Sequence, residues 1–335
     1  MGNKKNLVII RTDGGIASQI CFYSLGKYLE DKNMTVKYDT SWFDINGHDL
    51  NGHFVRNYDL EKAFPSLKIS YATDKEVEDF FVKHPLTTTN IEEYKAPLYV
   101  NGYPDTIPLV LKYKQFLRDK FKPIDVDTCA ELLESIKKSN SCAVHVRRGD
   151  LATYNVAYGY PVDEKYFIKA IKIILALEKD IKFFFFSEEP DWIEKNLIPK
   201  IQNINYEICR KNGSDKGYLD LYLIANSKHI IASKGSFGRF GKILSFNPDG
   251  YFITPNSGFD NITKQLPNSI IICNEKDSES KQTNKQTNKQ TNTIVDIPKY
   301  KKFIQNIFSK KTIWINNKKK KLITIFGFKI LINKK

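Results

Sequence analysis

Through roughly the first 270 residues, short apolar runs of β type alternate with amphipathic stretches of helical period, and this alternation narrows the possible folds most. NLVIIR (6–11) and TVKYD (35–39) read as buried strands. The segment between them, Ile16 to Asp31, carries apolar residues at 16, 20, 22, 23, 25 and 29, close to helical spacing. After an irregular stretch to about Lys122, with a lysine-rich helix near 110–120, SCAVHVRR (141–148) and KFFFFS (182–187) are again β-type. Between them DEKYFIKAIKIILALEK (163–179) is amphipathic, with Asp163 placed to cap it. Asp191 to Asn196, Tyr218 to Asn226 and Phe237 to Ser245 read as further helices, and HIIAS (229–233) as a strand. Strands separated by helices require crossover connections, so the sheets are expected to be parallel and covered on both faces, an α/β protein. At 335 residues the chain exceeds what one core supports. Two domains are predicted, 1–140 and 141–273.

The formal charge of +14, from 52 Lys+Arg and 38 Asp+Glu, sits at one end. Residues 299–335 hold twelve lysines and no acidic residue, which leaves 40 basic and 38 acidic side chains, a net of +2, in the first 298. A nearly neutral body argues against nucleic acid as a partner, because phosphate tracking needs cations spread over a folded face. KQTN occurs three times in succession over 281–292, and 274–298 is predicted to be a flexible linker with almost nothing to bury. Beyond it, Tyr300, Ile304, Ile307, Phe308, Trp314 and Ile315 predict an apolar stripe on a lysine-dotted helix, followed by the apolar patch LITIFGFKILI (322–332). Two readings of this basic amphipathic tail stand open: an anchor on an anionic membrane surface, or a segment folded back on the body. No run reaches the length of a membrane span, and the apolar stretch Leu7 to Ile10 is far shorter than a signal-peptide core. The five cysteines (Cys21, Cys129, Cys142, Cys209, Cys273) form no CxxC pair. Reduced thiols in a cytoplasmic protein are the expectation.

Three segments could carry chemistry. HVRRGD (145–150) places two arginines at the C-terminal end of a strand, where open α/β sheets bind ligands. A guanidinium fork suits phosphate, and Gly149 permits close backbone approach; an ion pair of Arg148 with Asp150 or another carboxylate is the competing reading. TDGGIASQ (12–19) is a glycine turn opening a helix, a position where free N–H groups can meet an anion. KGSFGRFGK (234–242) follows a strand in the same way, but its glycines are spaced wrongly for a P-loop and Ile243 stands where Ser or Thr would hold magnesium. Metal ligands are hard to find. Asp125-Val126-Asp127 reads better as a helix start, and His48, His53, His84 and His229 stand alone without HxH or HxxxH spacing. No GxSxG elbow supports a serine hydrolase.

Taken as a set, DGGIASQICFYSLGKYL, HVRRGDL, FFFFSEEPDWIEKNL and YLDLYLIANSKHIIASKGSFGRFGKIL resemble the blocks of the bacterial α-1,2-fucosyltransferases, glycosyltransferase family 11, over about residues 7–253. The resemblance implies a glycosyltransferase B-type fold of two Rossmann-like domains with a cleft between them. It implies GDP-β-L-fucose as donor, a galactose-containing glycan as acceptor, inversion at the anomeric carbon, and neither cofactor nor metal. Carried over residue by residue, Arg147 would bind the β-phosphate of GDP, and His145 and Asp150 match the fixed ends of that motif. Ser236 and Phe237 match a phosphate-cradling block, Asp220 an acidic residue that meets the nucleotide, and Gly14, Gly15 and Gln19 the loop facing the sugar diphosphate. Arg148 would assist Arg147. Catalytic roles are expected for Arg147 and for Asp150 as general base, with Glu188 and Glu189 as alternative bases. Two departures stand out: Ser18 replaces the family's asparagine, and Arg239 and Phe240 replace tryptophans. With the tail, the resemblance implies surface-glycan or lipopolysaccharide synthesis at the inner face of a bacterial inner membrane. The alternatives are a glycosyltransferase using another nucleotide sugar and a non-catalytic membrane-associated binding protein.

Overall fold

A computed structural model describes residues 4–45, 48–49, 54–154, 161–210, 212, 214–256, 260–272, 308–315, 318–325 and 328–332. The expected linker, 274–298, lies outside them. The chain divides into two compact units. One comprises Met1–Ser135, Arg210–Asn226 and Ile243–Phe246; the other comprises Ile136–Cys209, Ser227–Lys242 and Asn247–Lys335. Both are α/β with parallel sheets, the class the alternating pattern predicts.

In the first unit, β1 (Leu7–Arg11) is flanked in parallel by β2 (Thr35–Asp39) and β5 (Leu98–Val100), while β3 (His48–Asp49) and β4 (Phe54–Val55) form a separate hairpin. Val8, Ile9 and Ile10 are wholly buried, as a central parallel strand requires, and the helix Ile16–Asp31 joins β1 to β2. The helix Asp74–Lys83, which falls in the stretch expected to be irregular, packs Phe80 against Leu7, Ile9 and Tyr99. Its start is a capping box: the Thr73 hydroxyl accepts from the Glu76 N–H, and the Glu76 carboxylate accepts from the Thr73 N–H at 2.9 Å.

The second unit holds six parallel strands: β6 (Asn140–His145), β7 (Ile181–Phe186), β8 (Asn205–Cys209), β9 (His229–Ile231), β10 (Phe252–Pro255) and β11 (Ser269–Ile272). Their order is β8-β7-β6-β9-β10-β11. Counted within the unit this is third, second, first, fourth, fifth, sixth, the doubly wound order that reverses direction between β6 and β9. Phe183 to Phe186 are all buried because β7 is covered on both faces, by the helix Glu164–Leu177 among others. That helix is capped as expected: the Asp163 carboxylate accepts from the N–H of Tyr166 at 3.2 Å.

The tail departs from expectation. Where a helix was predicted over 300–315, the chain forms β12 (Phe308–Ile315), which pairs antiparallel with β13 (Lys318–Ile325), and β13 pairs with β14 (Phe328–Ile332). Ile315 opposes Lys318 and Ile325 opposes Phe328. Thr, Ile, Trp and Phe are strand formers, and their propensity outweighs the coarse helical spacing. Among the described residues no helix is long and apolar enough to cross a membrane.

Candidate active site

The reversal of strand order makes a crevice at the carboxyl ends of β6 and β9, and the sequence motif and the second glycine turn both end there. His145 closes β6 and is buried, its ring 5.0 Å from that of Phe237. Burial, together with the positive charge of Arg147, pushes the His145 pKa down to about 3, so the imidazole is neutral. Ser233, just past β9, ties the strand ends together: its hydroxyl accepts from the Arg147 N–H at 3.0 Å and lies 3.2 Å from His145 Nδ1. Having accepted one bond, the hydroxyl can direct its own hydrogen to Nδ1 when the imidazole carries its proton on Nε2. Ser233 was not singled out from sequence. Its position as the last residue of HIIAS, at the switch point, is the signal that could have found it.

Arg147 lies against Gly235, whose φ of +96° belongs to glycine. A Cβ built on Gly235 would stand 2.5 Å from Arg147 Nη1, so the guanidinium occupies the face that a side chain would fill. Ser236 and Phe237 follow at the mouth of this turn, both half-buried. Beneath it the Arg239 guanidinium, 2% exposed, donates to the Gly235 carbonyl. Arg148 is placed differently. Its Nε donates to Glu189 at 3.2 Å and its guanidinium lies 4.1 Å from the centre of the Trp192 ring. The ion-pair reading of the double-arginine motif therefore has a partner at Arg148, while Arg147 sits on the glycine turn. The same contact engages Glu189, one of the alternative bases. Asp150 lies in the first turn of the helix Gly149–Tyr154, and its side chain is outside the described residues.

Four of the expected contacts belong to the other unit. Gly14 has φ +72° and Gly15 precedes the helix Ile16–Asp31. Gln19 is wholly buried. Its amide nitrogen donates to the carbonyls of Gly14 (3.0 Å) and Asn57 (2.8 Å), and its amide oxygen accepts from the N–H groups of Asp59 (2.8 Å) and Leu60 (3.0 Å). Those four bonds use the full capacity of a primary amide, so Gln19 clamps the loop. Asp220 stands in the first turn of the helix Gly217–Asn226 and accepts from Asn212 at 2.7 Å. Asp125 does open a helical turn, and it also accepts from the Tyr218 hydroxyl at 2.9 Å. Among the described residues no group of three or more His, Cys, Asp and Glu side chains is arranged to hold a metal ion.

Comparison with known proteins gives these residues a context. A family profile described as "Glycosyl transferase family 11" matches residues 67–272, more than half of the chain. An "Alpha-1,2-colitosyltransferase" of Escherichia coli is 25% identical over 305 residues, covering 81% of this chain and 98% of that protein. Among solved structures, POFUT1 in complex with GDP aligns at 8% identity and a TM-score of 0.43, covering 81% of this chain and 99% of that one. A glycosyl transferase family 9 protein from Veillonella parvula aligns at 8% identity and 0.45, covering 84% and 89%.

Proposed function

Since the chain belongs to glycosyl transferase family 11, we propose that it transfers L-fucose from GDP-β-L-fucose to the 2-hydroxyl of a galactoside, with inversion at the anomeric carbon. One observation carries the reading: Arg147 lies over the Gly235 turn at the point where the strand order of the second unit reverses. A diphosphate received there meets a guanidinium fork, and the fork's planar donors match two phosphate oxygens at once. As the glycosidic bond breaks, positive charge grows on the sugar ring and negative charge on the departing GDP. Arg147 supplies the compensating charge in this reading, with no metal in the step; one such preorganised donor is typically worth about 3–4 kcal/mol. Neutral His145 and Ser233 keep Arg147 in place through its backbone N–H. Asp150 takes the acceptor proton in this reading, with Glu188 as the alternative, because Glu189 is paired with Arg148.

A second reading is favoured by one specific observation, the relative whose name specifies a colitosyl group. The transferred sugar would then differ while the GDP-sugar donor and the crevice stayed the same. A donor screen decides: GDP-fucose is tested against other GDP- and UDP-sugars with a galactoside acceptor, reading nucleotide release with and without a chelator. GDP release from GDP-fucose that survives chelation is expected. Turnover confined to UDP-sugars, or none from any donor while GDP fails to bind, would overturn the proposal.

A further inference from the structure

We infer that Arg239 is a positioning residue for the diphosphate, acting through Gly235; the inference rests on the proposed function and extends it to a residue that touches no substrate. Arg239 lies two residues into the helix Phe237–Ile243 and is 2% exposed, among the largest side chains so deeply buried in the described structure. Its three nitrogens reach three separate segments. Nη1 donates to the carbonyl of Gly235, Nη2 to that of Pro255 at the end of β10 (3.4 Å), and Nε to the hydroxyl of Thr263 (3.3 Å). Thr263, itself wholly buried, closes the helix Asp260–Thr263. The fork thus fastens the glycine turn to the end of the neighbouring strand and to the segment beyond it.

A guanidinium suits this task because its donors lie in one plane at fixed angles, so holding one acceptor orients the others. What it holds is the residue on which Arg147 rests. Gly235 is gripped on its carbonyl by Arg239 and covered on the opposite side by Arg147, which lies where a Cβ would stand. A turn at φ +96° is intrinsically adaptable, since glycine has the broadest conformational freedom of any residue. Without the fork the carbonyl of Gly235 could rotate, and Arg147 would lose a fixed floor. Two guanidiniums around one residue also raise the positive potential where phosphate oxygens would settle. A side chain that merely filled the core would need neither the fork nor the charge.

The test uses the full-length chain with GDP and inorganic pyrophosphate as probes. GDP affinity is measured by calorimetry well below the melting temperature, alongside steady-state turnover and thermal stability. For Arg239→Met, GDP binding is expected to weaken about tenfold or more. Arg239→Lys, which keeps the charge and one donor, should recover part of that loss. Thr263→Val, which removes the Nε partner, should weaken GDP binding about threefold and serves if Arg239→Met does not fold. An unchanged GDP dissociation constant in folded Arg239→Met, or in Thr263→Val when Arg239→Met is unfolded, would overturn the inference whatever happened to thermal stability. The underlying reading fails separately: wild-type protein that bound pyrophosphate without GDP would discard the nucleotide and keep the anion turn. Wild-type protein that bound neither would discard both.

Discussion

Each compact unit contains a strand-to-helix turn built on a glycine of positive φ, Gly14 at +72° and Gly235 at +96°, and the two turns are filled in opposite ways. The first is closed by its own chain. Gln19 takes up the Gly14 carbonyl and ties it to residues 57–60, leaving no amide group unused. The second is bordered by guanidiniums, Arg147 above and Arg239 below, with a neutral histidine alongside. One backbone device thus serves two ends. Where side-chain amides saturate the loop it is architecture, and where cations surround it the loop can receive an anion.

The sharpest way to break this contrast is Arg147→Lys. A point charge cannot copy a planar fork, and turnover should fall by about two orders of magnitude or more, roughly 3 kcal/mol, with stability little changed. GDP release under saturating donor measures it, and activity near that of the wild type would remove Arg147 from the mechanism. Gln19→Leu tests the other turn. Two buried N–H groups, of Asp59 and Leu60, would be orphaned at about 1–3 kcal/mol each. Urea denaturation should show that loss while GDP affinity of the folded protein stays unchanged; weakened GDP binding with full stability would erase the contrast.

Alanine at the two glycines gives a matched pair. Each substitution forces a Cβ into a left-handed backbone at about 1–2 kcal/mol. At Gly235 the new methyl also displaces Arg147, so the donor KM should rise about tenfold for Gly235→Ala and hold for Gly14→Ala. Unequal stability losses with equal KM values would count against the assignment of the anion to the second turn.

The smallest expected effect is a divergence with pH. Burial pushes His145 down to about 3 and His229 to about 4, the latter against the pull of Glu178. Unfolding lets both bind protons near their ordinary range, so the second unit is most stable above about pH 6.5 and weakens as pH falls. Asp59 in the first unit is pushed up to about 6 by burial, despite Lys62, and contributes the reverse slope between about pH 4 and 6. Each titrating group contributes at most about 1.4 kcal/mol per pH unit. Hydrogen exchange corrected for intrinsic rates should show the second unit losing protection between pH 7 and 5 while the first does not. His229→Gln should flatten the former.

Much of this was legible in the sequence where burial on both faces produces continuous apolar runs. Leu7–Arg11, Asn140–His145 and Ile181–Phe186 all stand where the runs predicted strands, and Arg147 was marked by its motif. The helix Asp74–Lys83 escaped because only Phe80 of its ten residues is buried, although Thr73 and Glu76 spell a capping box. β8, with its exposed Tyr206 at the sheet edge, had too little apolar signal. The tail strands read as a helix in the sequence, since lysines interrupt their alternating pattern. Gln19 and Arg239 were out of reach for a different reason. Their roles are set by partners about 40 and about 20 residues away, in segments that sequence spacing does not join.

The division of the chain between the units has a consequence for its synthesis. The first unit takes in Arg210–Asn226 and Ile243–Phe246, so its polypeptide is complete only when the ribosome has passed residue 246. The residues up to Ser135 must therefore wait, with part of their apolar surface uncovered, while about half of the second unit is translated. A nascent chain stalled between 140 and 200 is the form in which this protein is most exposed to proteases and most dependent on chaperones.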